Sequence, residues 1–267
     1  NVQGSKNTSV GYYAMFGTSG SGSSGSRNVA VGDSALAVYS SGSNNVAVGA
    51  SALSSLKTGV GNVAVGTSSL RLITAAANNT AVGDSSMNGA TSGSENTAVG
   101  AFTLSKIGTG VYNTAVGSEA LKNAANAFGN TGIGRQALVA NTSGGSNTAA
   151  GHAALFSNTT GGLNVAIGAS AMVSHRSGNN NTVVGTDAMF LDTTGVSNIA
   201  IGNQAMFNSR NTIGNIAIGT NALNNNRTGN AKLAIGTFTL FADTSAGPNT
   251  AIGNNSLVSN TKGQNNI

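Results

Sequence analysis

The sequence predicts an all-β protein, a parallel β-roll or β-solenoid in which each repeat of the sequence forms one coil. Three observations lead to this fold class. A motif of the form Asn-x-Ala-x-Gly restarts at every seventeenth residue, a glycine recurs at one position of every repeat, and a leucine or methionine recurs at the fourth position after that glycine. A period this short and strict is typical of a solenoid, in which each repeat stacks on the next.

Each 17-residue repeat is numbered here from its asparagine, so that Asn113 is position 1 of its coil and Asn130 is position 1 of the next. This step is constant along the chain except for the first step, from Asn7 to Asn28, which is longer. The surplus predicts an inserted loop over residues 17–26, where the sequence is rich in Gly and Ser. The chain is therefore expected to form one continuous repeat domain over residues 1–267, with about fifteen coils and open at both termini.

Short strands suit this repeat better than helices. A pair of helices needs a longer repeat than this one, and a glycine in every repeat would weaken a helix by about 1 kcal/mol relative to alanine. We therefore expect two strands per coil, one at "NTAVG" (residues 113–117) and one around "EALKN" (residues 119–123). Turns are expected at the glycine and in the Asn/Thr/Ser/Gly-rich stretch that closes the coil.

The residues that recur at fixed positions are expected to stack into ladders along the solenoid. Asparagine at position 1 predicts a stacked amide ladder, because each side chain can bond the next coil or its own turn. Lys232 replaces the asparagine in one repeat, and that coil is expected to be locally the weakest. The predicted structural ladder residues of two successive coils are Asn113, Ala115, Val116, Gly117 and Leu121, then Asn130, Gly134 and Leu138.

The first strand is small or apolar on both of its faces. Alternation along the strand places Thr114 and Val116 on one face and Ala115 and Gly117 on the other. A parallel strand that is apolar on both sides is normally covered on both sides, whereas one coil covers only its inside. This pattern favours a parallel homo-oligomer, with a monomer that exposes the flat Ala/Gly face as the alternative.

No residue is assigned a catalytic, cofactor-binding or metal-binding role. The two histidines, His152 and His175, occupy different positions of different coils, and there is no cysteine and no carboxylate pair at ligand spacing. The segment "GSGSSG" (residues 20–25) matches a dinucleotide fingerprint only formally, because the fingerprint needs a strand before it and a helix after it. The seven acidic residues are scattered among coils, so the chain is not expected to be an enzyme.

Two further columns of side chains have simple structural explanations. Threonine recurs at position 2 of five successive coils, as in ice-binding β-solenoids, but the second column of threonine that such surfaces have is missing. A β-branched residue that favours a strand explains the column more simply. Aromatic residues flank the Leu/Met ladder, where packing in the core or between chains is the simplest explanation and an exposed stripe for a glycan or receptor is the alternative. These aromatic residues are Phe156, Phe190, Phe207 and Phe241.

Composition narrows the classes of partner. The net charge of +5 comes from 12 Lys and Arg against 7 Asp and Glu, spread thinly and without aromatic interleaving, so nucleic acid is not an expected partner. No apolar run approaches the ~18 residues of a membrane span. The absence of cysteine removes disulfide and thiol chemistry and is compatible with an extracellular location.

The repeat "NTAVGSEALKN" resembles the Asn-x-Ala-Ile/Val-Gly units of YadA-like trimeric autotransporter adhesin heads. With its 17-residue spacing it is also similar to the repeats of bacteriophage tail-fibre shafts and related surface fibres. The resemblance covers nearly the whole chain. It implies a left-handed parallel β-roll, a homotrimer in the case of the adhesin heads, and display outside a cell or on a virion.

Two functional hypotheses follow. The first is a structural component of an extracellular or virion surface fibre, a stiff repetitive shaft that associates with itself as a trimer or end to end. The alternative is an adhesin or receptor-binding tail-fibre head, whose outer loops at positions 10–17 bind a glycan or receptor on a host surface. No cofactor is expected for either function.

Overall fold

The computed structural model describes residues 4–17, 23–244 and 247–267. The chain divides into two compact units, Asn1–Asn130 and Thr131–Ile267. Each unit is an all-β parallel solenoid with one coil per 17-residue repeat, and the described residues contain no helix. The predicted fold class is confirmed at this level. The inserted loop predicted over residues 17–26 lies partly outside the described residues.

Every coil contributes one short strand, at positions 2 to 4 of the repeat. Within each unit, strands that follow one another in sequence pair in parallel with equivalent positions opposite each other, as where Ala98 pairs with Ala115. The strands of the first unit are β1 Thr8–Val10, β2 Val29–Val31, β3 Val46–Val48, β4 Val63–Val65, β5 Thr80–Val82, β6 Thr97–Val99 and β7 Thr114–Val116. Those of the second unit are β8 Thr131–Ile133, β9 Thr148–Ala150, β10 Val165–Ile167, β11 Thr182–Val184, β12 Ile199–Ile201, β13 Ile216–Ile218, β14 Leu233–Ile235 and β15 Thr250–Ile252.

The second strand predicted around residues 119–123 is wrong, because this segment forms turns. Glu119 and Leu121 have positive φ angles of 59° and 49°, which no strand contains. These angles turn the adjacent residues Ala120 and Leu121 both toward the interior, where both are fully buried. Neighbouring residues of a strand point to opposite faces, so two consecutive buried side chains require this different backbone.

The core of each unit is narrow and built largely from small side chains. The alanine at position 3, the small residue at position 8 and the Leu or Met at position 9 are buried, as Ala115, Ala120 and Leu121 illustrate. Val116, the last residue of its strand, points outward and keeps 37% of its surface exposed. The strand therefore buries its alanine face within its own coil and leaves the valine face on the surface. The expectation that a monomer would expose the Ala/Gly face is wrong, because the small alanine side chains fill the narrow interior of the coil.

The glycine at position 5 is required by the close approach of successive coils. Gly134 has a φ of 126°, a conformation that side chains rarely allow. A Cβ atom at Gly134 would lie 2.5 Å from the carbonyl oxygen of Gly151 in the next coil. Glycine therefore sets both the turn after the strand and the spacing between coils.

Candidate functional site

The predicted asparagine ladder is present and buried in both units. The side chain of Asn113 donates through Nδ2 to Asn96 Oδ1 at 3.0 Å and to the carbonyl oxygen of Ala127 at 2.9 Å. Its own Oδ1 accepts bonds from the backbone N–H and the Nδ2 of Asn130, each at 3.1 Å. Each side chain thus bonds the coil before it and the coil after it, as well as its own closing turn. The ladder is a structural element that holds successive coils together.

The remaining predicted ladder residues divide into an inward set and an outward set. Ala115, Leu121 and Leu138 are completely buried, whereas Val116 faces outward. Gly117 and Gly134 take the positive φ angles of the turn after the strand, 123° and 126°. These residues stabilise the coil, and none of them presents a reactive group.

A second interior column, at position 12, was not predicted from the sequence. In the first unit its buried members are apolar or aromatic, namely Tyr39, Leu56, Ile73, Ala90, Ile107 and Ala124. In the second unit the buried members are polar or charged, namely Asn141, Asn158, His175, Asp192, Ser209, Asn226 and Asp243. The signal for this column is weak, because position 12 varies in both size and polarity from coil to coil.

The polar side chains of this column bond the backbone of their own closing turns. Asp192 Oδ1 accepts the backbone N–H of Gly195 at 2.6 Å, and Asn226 Oδ1 accepts that of Gly229 at 2.9 Å. Buried polar groups keep their partners in this way, which removes most of the cost of burial. The Oγ of Ser209 has no hydrogen-bond partner in the described part of the chain.

Lys232 lies inside the second unit and is completely buried with Asp243. Its Nζ is 3.1 Å from Asp243 Oδ1 and donates to Asn226 Oδ1 at 3.0 Å. Asp243 Oδ2 accepts a bond of 2.7 Å from Asn249 Nδ2. Burial lowers the pKa of the Lys232 ammonium, and this effect outweighs the hydrogen bond and charge of Asp243, which raise it. The backbone N–H of Lys232 still donates to Asn215 Oδ1 at 3.0 Å, so this part of the ladder is retained.

The two histidines lie apart and in different environments. His152 is exposed, with Nε2 3.4 Å from a guanidinium nitrogen of Arg135. His175 is buried, with Nδ1 3.4 Å from Asp192 Oδ1 and Nε2 3.0 Å from the carbonyl oxygen of Gly178. A neutral imidazole carries one N–H and makes one of these two bonds, whereas the protonated ring makes both.

Three other sequence features concern ligand sites. Across residues 4–17, 23–244 and 247–267, no group of three or more His, Cys, Asp or Glu side chains is arranged to hold a metal ion. The "GSGSSG" segment, residues 20–25, falls partly outside the described residues. The aromatic residues at position 10 are half-buried, and the rings of Phe190 and Phe207 stack at 5.1 Å.

The outward face of the strands is apolar in each unit. The side chain at position 4 is a Val or Ile with more than a third of its surface exposed in most coils, namely Val10, Val31, Val65, Val99 and Val116 in the first unit and Ile133, Ile167, Ile201, Ile218 and Ile252 in the second. We call these position-4 residues the outer apolar face. Tyr112, Phe128, Leu163 and Ile213 are further exposed apolar residues, at positions 16 and 17.

No protein-family model matches the sequence, and no curated protein matches it. Within the part of the chain that the structure describes, there is no helix with the length and apolar character of a membrane span.

Proposed function

We propose that this chain is a segment of a stiff fibre on the surface of a cell or virion, in which copies of the chain associate in parallel through the outer apolar face. The observation that carries the proposal is the recurrence of exposed Val or Ile at position 4 in coil after coil. Left-handed winding and a trimer are part of the proposal because the repeat resembles that of trimeric adhesin heads and tail-fibre shafts. The proposal assigns the chain no catalytic activity.

The outer apolar face favours a partner with the same repeat. Soluble monomers rarely expose extended apolar patches, and parallel strands are normally covered on both faces. A second copy placed in parallel has the same 17-residue period, so each of its coils can meet one coil of the first copy. A partner without this period would match the face at only a few coils.

Stiffness is supported by the density of bonds between coils. Each strand pairs with its neighbours, the asparagine ladder adds side-chain bonds, and the turn segments add backbone bonds such as that from the Leu104 N–H to the Ala120 carbonyl oxygen at 3.0 Å. Repeats that contact only adjacent repeats form extended bodies. A shaft needs this arrangement, and it needs no reactive side chain.

The proposal is tested by measuring the mass of the purified chain with light scattering and its length with electron microscopy. We expect an oligomer in the wild type and dissociation in Ile201→Lys, because the substitution places a charge on the outer apolar face. Thr228→Lys, at an exposed site of the same unit, is the matched control and should remain an oligomer. Circular dichroism verifies that both variants are folded. A wild type that stays monomeric at all concentrations would refute the proposed association.

The alternative function, a fibre head that binds a host surface through its outer loops, is favoured by one separate observation. A cationic cleft lies on the second unit at positions 11 to 14, and its lining residues do not belong to the outer apolar face.

A further inference from the structure

A cleft of about 420 Å³ runs across four successive coils of the second unit. Its lining includes Ser157, Ser174 and Leu191 at position 11, and Arg176, Thr193 and Arg210 at position 13. Asn211, at position 14, completes the polar lining. Because equivalent positions of successive coils stack, the cleft is elongated along the direction in which the coils repeat.

The charged residues that line the cleft are two arginines. Arg176 and Arg210 are exposed, and neither guanidinium forms an ion pair with a carboxylate in the part of the chain that the structure describes. The two residues lie two coils apart, a spacing of about 10 Å from the distance between neighbouring parallel strands. The cleft therefore presents two separated cationic groups at the same position of the repeat.

Arg227 extends the same column by one coil. The backbone N–H of Arg210 donates to the carbonyl oxygen of Arg227 at 2.9 Å, so the two arginines are at equivalent places in adjacent coils. These exposed arginines lie outside the strands, and like charges on adjacent coils repel each other. The repulsion does not stabilise the coil, which points to a role in binding.

The neutral groups of the cleft add hydrogen-bond donors. Asn211 Oδ1 accepts bonds of 2.7 Å from both Thr193 Oγ1 and Thr194 Oγ1. These bonds use the oxygen of the amide and leave its NH₂ group as a donor for a ligand. The hydroxyl groups of Ser157 and Ser174 can donate or accept. A donor-rich cleft with guanidinium groups is complementary to carboxylate and sulfate oxygens and to sugar hydroxyls.

We propose that this cleft binds a linear acidic polysaccharide, whose carboxylate or sulfate groups pair with Arg176 and Arg210. The elongated shape of the cleft suits a polymer. The separation of about 10 Å between Arg176 and Arg210 is comparable to the length of a disaccharide, so anionic groups on alternate sugars can meet the two arginines. Single-stranded nucleic acid fits less well. Its binding sites use aromatic side chains that stack on bases, and the cleft's described lining contains no aromatic ring.

The test measures binding of the full chain to three polysaccharides at low salt by isothermal titration calorimetry. Heparin supplies sulfate groups, polygalacturonate supplies carboxylates, and dextran is the neutral control. We expect binding to heparin, polygalacturonate or both, with affinity that falls as salt is added, and no binding to dextran. Which of the two anionic polymers binds tells sulfate from carboxylate recognition. Failure of both to bind would overturn the proposal.

Two double variants that remove equal charge separate the cleft from the overall charge of the protein. Arg176→Gln/Arg210→Gln should weaken binding about tenfold or more, because each arginine contributes charge-assisted hydrogen bonds. Arg135→Gln/Lys262→Gln removes two exposed charges elsewhere in the same unit and should bind as the wild type does. Equal losses in both variants, or no loss in the first, would overturn the proposal.

A single-stranded DNA oligonucleotide completes the test as a competitor. Displacement of the polysaccharide by the oligonucleotide at similar concentration would assign the cleft to nucleic acid and overturn the proposal. The inference goes beyond the proposed fibre role and does not depend on it. The mass of both double variants is measured as well. If the protein is an oligomer but does not bind the polysaccharides, only the proposed binding by the cleft is refuted. If the protein is a monomer that binds them, only the proposed association of copies is refuted.

Discussion

The buried pair of Lys232 and Asp243 leads to a prediction about energetic coupling inside the second unit. We consider three variants: Lys232→Met, Asp243→Ile, and the two substitutions together. Isoleucine is chosen because position 12 is already occupied by a fully buried isoleucine at Ile73 and Ile107. Methionine approximates the length of the lysine side chain and removes its charge.

The magnitude follows from the burial of both groups, each with no exposed side-chain surface. Removing one member of a buried ion pair leaves the other charge in the interior and costs about 3–5 kcal/mol. Replacing both members with apolar residues is often neutral or stabilising, by about 1–4 kcal/mol. The remaining polar groups keep bonds in the double variant, because Gly229 N–H donates to Asn226 Oδ1 and Asn249 Nδ2 donates to the Gly263 carbonyl oxygen. We therefore expect each single variant to be much less stable than the double variant.

Amide hydrogen exchange is the suitable assay, because a repeat protein need not unfold in one step. The amide of Leu233 donates to the carbonyl oxygen of Asn249 at 2.9 Å, and that of Ile216 donates to the carbonyl oxygen of Lys232 at 2.8 Å. Their exchange should accelerate strongly in either single variant and return toward the wild-type rate in the double variant. Single-variant effects that are small and simply add in the double variant would refute the reasoning.

The same lysine predicts a dependence of stability on pH. Burial lowers the pKa of Lys232 from its ordinary value of 10.5, which applies in the unfolded chain. Between the lowered folded value and 10.5, the unfolded chain binds more protons than the folded chain, so stability rises as pH rises through this window and falls as pH falls through it. The exchange rate of the Leu233 amide, corrected for intrinsic exchange, should show this trend in the wild type. The double variant should lack it.

Three further predictions concern single positions. Gly134→Ala should destabilise the second unit more than Gly253→Ala does, as measured by thermal unfolding. Both glycines have positive φ, so alanine at either position costs about 1–3 kcal/mol in backbone strain. Only at Gly134 would the added Cβ also lie 2.5 Å from a carbonyl oxygen. Ser69→Ala should raise stability by about 1 kcal/mol, since the buried hydroxyl has no partner in the described residues. The control Thr103→Ala should lower stability, because that hydroxyl lies 2.8 and 2.9 Å from two carbonyl oxygens. Burial raises the pKa of Tyr39 above its ordinary value of 10.0. The stability that the neutral tyrosine contributes is therefore complete below pH 10.0 and should be lost as pH rises through the pKa of the folded protein. Tyrosinate absorbance, recorded together with unfolding, measures this loss.

The strand and its ladders could be predicted because each depends on a residue type that recurs at one position. Ala115 and Val116 lie on opposite faces, as alternation along a strand requires, whereas alternation does not determine that the alanine face is the buried one. Gly117 recurs because its φ of 123° and the approach of the next coil exclude a side chain. In these cases one local rule determines the residue, and repetition makes the rule visible in a single sequence.

The turn segment could not be predicted from propensity, because its residue types also occur in strands. Leu121 has a positive φ, which is uncommon for leucine and is imposed by burial of two consecutive side chains. The adjacent apolar residues Ala120 and Leu121 were the available signal, since a strand would place one of them outside. Packing within the coil therefore overrides the local preference of the backbone.

The pairing of Lys232 with Asp243 could not be predicted, because the partners belong to different columns of the coil. Position 12 shows no constant residue type, and only the folded coil shows that it faces position 1 of the same repeat. The prediction that the Lys232 coil is locally weakest remains a prediction, which the exchange experiment addresses. The effect of a residue that interrupts a ladder, such as Lys232, can be judged only when the partner that balances its charge is known.

The cationic cleft differs from the ladders in that folding does not require its residues. Position 13 of the first unit includes Thr74 and Thr91, and the same backbone bonds form there with neutral side chains. Because the coil accepts threonine at this position, Arg176, Arg210 and Arg227 are not needed to build it, and the repulsion between like charges on adjacent coils opposes it. In a chain where only 7% of residues are charged, three arginines on one column of one unit are therefore better explained by a ligand than by the fold.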